Sequence, residues 1–201
     1  LVGFGDVYKR QDVKYVDRNG DGVVDDNDRD IIGNPNPDFT YGFQTKVSWK
    51  SLSLSASFNG VQGRDILNVG NRYNNTPGTK SNNVTRKAFQ NMWTDENPSN
   101  LYPKSTFVVQ NMVMDRYVED GSYLRCSDIT LSYVLPAKWT NKIGIKNTSV
   151  YASVKNAFVI TDYSGYDPEV NSFAFDGLRP GVDMNSYPTP RSFVFGLNLT
   201  F

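Results

Sequence analysis

The sequence predicts an all-β fold, five antiparallel strands cut from a transmembrane β-barrel. Three observations carry that expectation. Five segments alternate apolar and polar residues with the period of two that sends successive strand side chains to opposite faces. One of them sets Leu52, Leu54, Ala56 and Phe58 against Ser51, Ser53, Ser55, Ser57 and Asn59. A row of small hydroxyls suits a wet, crowded barrel interior, whereas the solvent side of a soluble sheet typically carries Lys, Glu and Thr. The connections, finally, run long, short, long, short, long, as in barrels with short turns at one rim and long loops at the other.

Composition is consistent with this class and removes others. The 201 residues include 21 basic and 21 acidic side chains, so no net charge points to nucleic acid. No run approaches the roughly 20 apolar residues of a membrane helix, but a transmembrane strand needs only about 9 to 11, half of them polar. The chain has no histidine, which removes the commonest general base, a common zinc ligand and any Ser-His or Cys-His pair. The carboxylates Asp167 and Glu169 lie two apart in a proline turn, with nothing to set their separation or split their pKa values. An enzyme is not expected. Cys126 has no second cysteine to pair with and reads as a small side chain within a strand.

Residues 1–11 contain no secretory signal, and Asp6 to Gln11 resembles translated adapter sequence. This lead-in is set aside as non-native, and residues 12–201 are read as the carboxy-terminal part of a longer barrel. Exterior loops are expected near 12–37, 60–121 and 161–190. The first holds the sharpest local chemistry. Asp17, Asn19 and Asp21 stand at positions 1, 3 and 5 of a calcium loop, Gly22 at the sharp turn, the Val23 carbonyl at 7, Asp25 at 9 and Asp28 at 12. Asp28 is shorter than the usual bidentate Glu, and no amphipathic helices flank the loop, so it is not an EF-hand. A structural calcium ion that stiffens a surface loop is expected; the alternative is a solvated Asp/Asn/Gly turn.

Pro35 and Pro37 exclude helix and central strand from the lead into the first strand. There Phe39, Tyr41, Phe43, Thr45, Val47 and Trp49 form the apolar face. A tight connection at Lys50 leads to the serine-backed strand. About 60 residues from Gly60 to Gly121 then lose the alternation, a length that implies a functional loop or local helix, with Val84 to Trp93 the helical candidate. The next strand alternates Tyr123, Arg125, Ser127, Ile129, Leu131, Tyr133 and Leu135 with Leu124, Cys126, Asp128, Thr130, Ser132 and Val134. After a turn through Lys138 to Lys146, Val150, Ala152, Val154, Phe158 and Ile160 share a face, with Asn156 as the one break. In the terminal strand Phe193, Phe195, Leu197, Leu199 and Phe201 oppose Ser192, Val194, Gly196, Asn198 and Thr200. A last strand ending in Phe resembles the strand that closes bacterial outer-membrane barrels and is read by their assembly machinery.

Several motifs carry a family resemblance: Asp17-Arg18-Asn19-Gly20-Asp21-Gly22, Ile32-Gly33-Asn34-Pro35-Asn36-Pro37-Asp38-Phe39-Thr40-Tyr41-Gly42, Val118-Glu119-Asp120-Gly121-Ser122-Tyr123-Leu124-Arg125, Tyr163-Ser164-Gly165-Tyr166-Asp167-Pro168-Glu169 and the ending Phe195 to Phe201. Together they resemble the SusC/RagA family over nearly everything after Gln11. The resemblance implies a TonB-dependent transporter in the outer membrane of Bacteroidota, with about 22 strands. It also implies a plug driven through the TonB complex, and a SusD-like lipoprotein lid that captures oligosaccharides or peptides. Cys126 stands where a hydrophobic or basic residue is expected. Trp93, Tyr102, Tyr163, Tyr166 and Tyr187 are candidates for stacking on substrate or touching the lid, with packing inside the loops as the competing role. The alternative from another class is a secreted, calcium-stabilised β-sandwich that binds carbohydrate.

Overall fold

The computed structural model describes residues 13, 15–76, 83–105, 113–140 (the side chain of 140 excepted), 144–145, 147–169 and 171–200. The lead-in 1–11, Phe201 and part of the turn 138–146 therefore fall outside the described residues. Five strands form one antiparallel sheet in the order β1 (Phe39–Trp49), β2 (Leu52–Gln62), β5 (Tyr123–Val134), β6 (Asn147–Thr161) and β8 (Ser192–Thr200). Between them lie β3 (Asp65–Asn68), β4 (Val118–Asp120) and β7 (Val182–Asp183), which make a second, three-stranded sheet, and the short helices α1 (Val69–Asn75), α2 (Arg86–Asn91) and α3 (Ala137–Thr140).

Register turns the period-two sequence pattern into continuous rows across the large sheet. Val47, Leu54, Leu131, Ala152 and Phe195 are successive cross-strand partners, and so are Trp49, Leu52, Tyr133, Val150 and Leu197. The intervening rows are Lys46, Ser55, Thr130, Ser153 and Val194, and Gln44, Ser57, Asp128, Lys155 and Ser192. The two faces thus separate cleanly. The apolar one is the open one: Leu54 is 47% exposed and Phe195 79%, while Ser153 on the polar face is 6% exposed. A soluble sheet buries its hydrocarbon rows, so this inversion fits a wall that faces lipid.

On the polar face the groups satisfy one another. Thr130 Oγ1 and Ser153 Oγ each donate to a different oxygen of Asp128 at 2.8 Å, and Ser127 Oγ donates to the Ser57 carbonyl at 3.1 Å. Small hydroxyls let neighbouring strands share these bonds without filling the space in front of the sheet. Gly196 serves the same economy of space, because a Cβ there would lie 2.2 Å from the Tyr151 ring.

The unbroken alternation expected for β5 is corrected by a bulge. Pairing with β2 shifts between Ser57 and Phe58, where Ser127 is the extra residue, and pairing with β6 shifts at the same level, where Asn156 takes a positive φ of 52°. An extra residue reverses the facing of everything beyond it. Cys126 therefore lies on the apolar face opposite Phe58 and Phe158, and Tyr123 and Arg125 move to the polar face, away from Ile129. The Phe58 and Phe158 rings, on strands either side of β5, come within 6.3 Å of each other across the fully buried Cys126. A larger residue at 126 would hold those rings apart, which accounts for a small side chain at a position expected to hold a hydrophobic or basic residue.

At one end of the sheet β1 and β2 join through Lys50 and Ser51, with Lys50 at φ 54°. At the other end the long connections fold together. The 60–121 segment is no structureless loop: β2 continues through Gln62, β3, β4, α1 and α2 lie within it, and β7 from the 161–190 segment pairs parallel to β3. The helix expected over 84–93 occupies Arg86–Asn91, with the Thr85 hydroxyl accepting from Ala88 N at 3.1 Å as its N-cap.

Candidate functional site

The loop body is built from polar residues that are distant in sequence. Its anchor to the sheet is Arg125 on β5, 5% exposed, which pairs with Asp167, 2% exposed. Arg125 Nε lies 3.1 Å from Glu169 Oε2, a charge contact whose angle leaves that nitrogen without a hydrogen-bond partner. Tyr123 and Asn59 donate to the other oxygen of Glu169 at 2.6 and 3.0 Å, and Arg64 donates to the Pro168 carbonyl. The bulge at Ser127 is what brings Tyr123 and Arg125 to this face. Burial pushes the Asp167 carboxyl up, but the N–H groups of Glu169 and Thr189 and the Arg125 guanidinium outweigh it and hold the group below its ordinary value.

Two further carboxylates tie the loops to one another. Glu119 accepts from the side chains of Asn68 and Asn71 at 3.0 and 2.9 Å and from Ser164 N and Oγ at 2.8 and 2.9 Å. Asp183, 3% exposed, accepts from the Tyr163 hydroxyl at 2.7 Å and from Ser186 N at 3.0 Å. Burial, followed by the bond to Asp183, drives the Tyr163 hydroxyl well above its ordinary value. Asp65 and Asn34 exchange two bonds at 2.8 Å, which brings the segment before β1 into the same body. Sequence reasoning missed these partners. The motif residues were visible, yet nothing local says that Glu119 meets Ser164 or that Arg125 meets Asp167.

The five candidate aromatics are not brought together. Tyr163 is buried at 5% exposure and is part of the internal frame, so it presents no surface to a ligand. Tyr166 and Tyr187 are 73% and 87% exposed. Trp93 and Tyr102 are half-buried and joined by a hydrogen bond from Trp93 N to the Tyr102 carbonyl at 3.0 Å, and Lys104 Nζ stands 5.7 Å from the Trp93 ring. Tyr102 also lines a pocket of about 140 Å³ with Asn71, Asn75, Lys87, Leu101, Arg116 and Tyr117. In the terminal strand Phe193, Phe195, Leu197 and Leu199 are all exposed on one face.

The Asp17–Asp28 loop caps its own backbone. Asp17 accepts from Gly20 N and Gly22 N, Asn19 from Asp21 N and Asp21 from Val23 N, all between 2.7 and 2.9 Å. Asp28 accepts from Arg18 N, Asn19 N and Asp25 N, and Asp25 caps the turn at 26–28. Led by the Asp25 N–H, these donors hold the Asp28 carboxyl below its ordinary value. Gly22 sits at φ 83°, where a side chain would be strained. The donors are all hard oxygens, as calcium requires. Among the described residues, however, no three acid, cysteine or histidine side chains converge closely enough to hold a metal.

An antiparallel sheet that exposes its hydrocarbon face, with the two-residue β1–β2 turn at one end and a folded loop body at the other, defines a wall segment of a membrane-type β-barrel. No family model matches the sequence. The TonB-dependent receptor P26 of Formosa agariphila is 35% identical over 94% of this chain and 19% of its own length. The TonB-dependent receptor SusC of Bacteroides thetaiotaomicron is 34% identical over 93% of the chain and 17% of its own length. Among solved structures, the RagAB peptide transporter superposes with a TM-score of 0.72 and 29% identity, over 85% of this chain and 18% of that one. The RagAB peptide importer in its open-open state gives 0.70 and 30% over the same 85%. The chain belongs to the SusC/RagA family of TonB-dependent receptors. It spans about a fifth of the length of the curated relatives it matches, and those relatives are receptors and transporters by name, not enzymes.

Proposed function

We propose that the chain supplies part of the wall and the exterior loops of an outer-membrane transporter that imports oligosaccharides or peptides with a SusD-like lipoprotein. The observation that carries this reading is the row structure of the large sheet, hydrocarbon on the open face and hydroxyls on the other, in a chain related to SusC and RagA. Its apolar rows would meet outer-membrane lipid. The edges left by β1 and β8 would be closed by the remaining strands, with the barrel assembly machinery reading the terminal strand. Energy would enter through the TonB complex, acting on regions outside this chain. No bond in the nutrient is made or broken.

Within this reading the loop body is the outward surface, and Tyr102, Trp93, Tyr166 and Tyr187 are its candidate contacts with nutrient or lid. We also infer structural calcium at Asp17, Asn19, Asp21, the Val23 carbonyl, Asp25 and Asp28. The oxygen donors and their spacing support the ion, and the loop would have to draw its carboxylates inward to hold it. Deleting the parent gene should abolish uptake of one class of fluorescent oligosaccharide or peptide, and restoring it should restore uptake. Undiminished uptake of every glycan and peptide supplied would refute the transporter reading.

A further inference from the structure

The pocket between α1, α2 and the Asp115–Tyr117 turn has an unusual charge. Its wall contains two cations, Lys87 and Arg116, and no carboxylate. Arg116 gives one Nη to the Leu101 carbonyl at 2.7 Å, which fixes the guanidinium, but among the described residues no acid pairs with it, and no ion pair engages Lys87. Asp115, next in sequence to Arg116, spends a side-chain oxygen on Arg116 N at 2.7 Å.

The remaining lining explains what kind of anion fits. Tyr102 and Tyr117 contribute aromatic rings, which bind the C–H faces of sugars. The amides of Asn71 and Asn75 are held in place, with Asn71 donating to Glu119 at 2.9 Å and Asn75 bonded to Asn71. Fixed amides beside rings are groups that match ring hydroxyls, and a volume of about 140 Å³ accommodates a single sugar unit, not an extended chain. Unpaired cations with rings and amides in one concavity recognise an anionic group and the ring that bears it.

We propose that this pocket binds one anionic sugar unit, its carboxylate or sulfate against Lys87 and Arg116 and its ring on Tyr102. The proposal rests on the transporter reading and adds a substrate class to it. The test uses the full-length parent transporter in detergent, titrated calorimetrically with a hexauronate, a sulfated hexasaccharide, a neutral hexasaccharide of similar length and a Glu-rich hexapeptide. At least one anionic saccharide should bind ten-fold or more tighter than the neutral one and weaken as salt is raised, because the contact is charge to charge. Which of the two binds identifies carboxylate or sulfate. Lys87→Gln with Arg116→Gln should remove that preference, and Tyr102→Ala should weaken anionic sugar binding while circular dichroism and detergent-resistant folding stay unchanged.

Equal binding of neutral and anionic sugars, equal binding of the acidic peptide, no sugar binding, or a preference that survives the double substitution would each overturn the proposal. The transporter reading fails separately. Neutral sugar bound and imported by the parent would leave transport standing and sink the anionic site, whereas loss of the parent with no change in any uptake would sink transport itself.

Discussion

The large sheet and the loop body are held by opposite means. In the sheet the strands repeat one short rule, interrupted at the β5 bulge, and the backbone ladder together with row-by-row sorting of side chains does the rest. The loop body has only short regular elements, and its shape depends on three buried or half-buried carboxylates, Asp167, Asp183 and Glu119, each satisfied by donors at least 20 residues away, with local turns adding to Asp167 and Asp183. The sheet should therefore degrade gradually under single substitutions, and the loop body abruptly.

The sharpest way to break that contrast is to remove Arg125. Asp167 is 2% exposed, so Arg125→Ala leaves a buried carboxylate without its cation, a loss of about 3 to 5 kcal/mol. The 161–190 segment should become protease-sensitive in the assembled parent while the barrel keeps its heat-modifiable migration on gels. Intact protease resistance would mean that the sheet, not the ion pair, holds the loops.

Next in size are charges on the two faces of the sheet. Leu54→Arg or Leu197→Arg should cost about 2 to 4 kcal/mol near the bilayer midplane and less towards an interface. Ser53→Arg and Asn198→Arg should be tolerated, since the polar face keeps a charge hydrated. Spin labels at 54 and 197 should be quenched by membrane-dissolved oxygen. Quenching only by a water-soluble reagent at those positions would overturn the lipid-facing assignment and favour a soluble sheet.

These two tests also mark how far the sequence could be read. Period two placed β1, β2, β6 and β8 because each residue's face follows from its neighbours alone. It misplaced Tyr123 and Arg125 because a bulge costs only one residue and Ser127 looks like any other polar strand position. Asn156, the visible break in β6, was the hint: an asparagine tolerates positive φ, and the two irregularities lie side by side. The loop motifs were recognisable as motifs but their pairings were not, since contact between Glu119 and Ser164 is a property of the fold and has no period. The small sheet of β3, β4 and β7 went unseen for the same reason, its strands being only two to four residues long.

Acid and alkali should then loosen the loop body from its two ends. Asp167 has a lowered folded value, so its contribution is present above the ordinary carboxylate range and is lost as pH falls below about 4. Tyr163 has a raised value, so its contribution is present below about 10 and is lost as pH climbs above that. Protection of the loop amides, their exchange rate measured against the intrinsic rate at each pH, should be greatest between those limits. In Tyr163→Phe the alkaline limb should shrink to the part carried by Tyr123, whose hydroxyl is also raised by burial and by its bond to Glu169, and the acid limb should stay.

The smallest expected effect belongs to the Asp17–Asp28 loop, which lies outside both frameworks. Its carboxylates are largely exposed and already serve the loop's own N–H groups, so Asp17→Ala with Asp21→Ala should loosen that loop alone and leave barrel assembly and the Arg125–Asp167 anchor untouched. If calcium binds there, chelator should speed proteolysis between residues 17 and 28 in the unmodified parent, and the double substitution should make the rate insensitive to chelator. The self-capped turn makes the opposite forecast. With the N–H groups already satisfied, removing calcium changes nothing, and proteolysis in the unmodified parent stays equal with and without chelator. The two forecasts differ because an ion adds a charge-dependent restraint to carboxylates whose hydrogen bonds alone would hold the loop equally well in either condition.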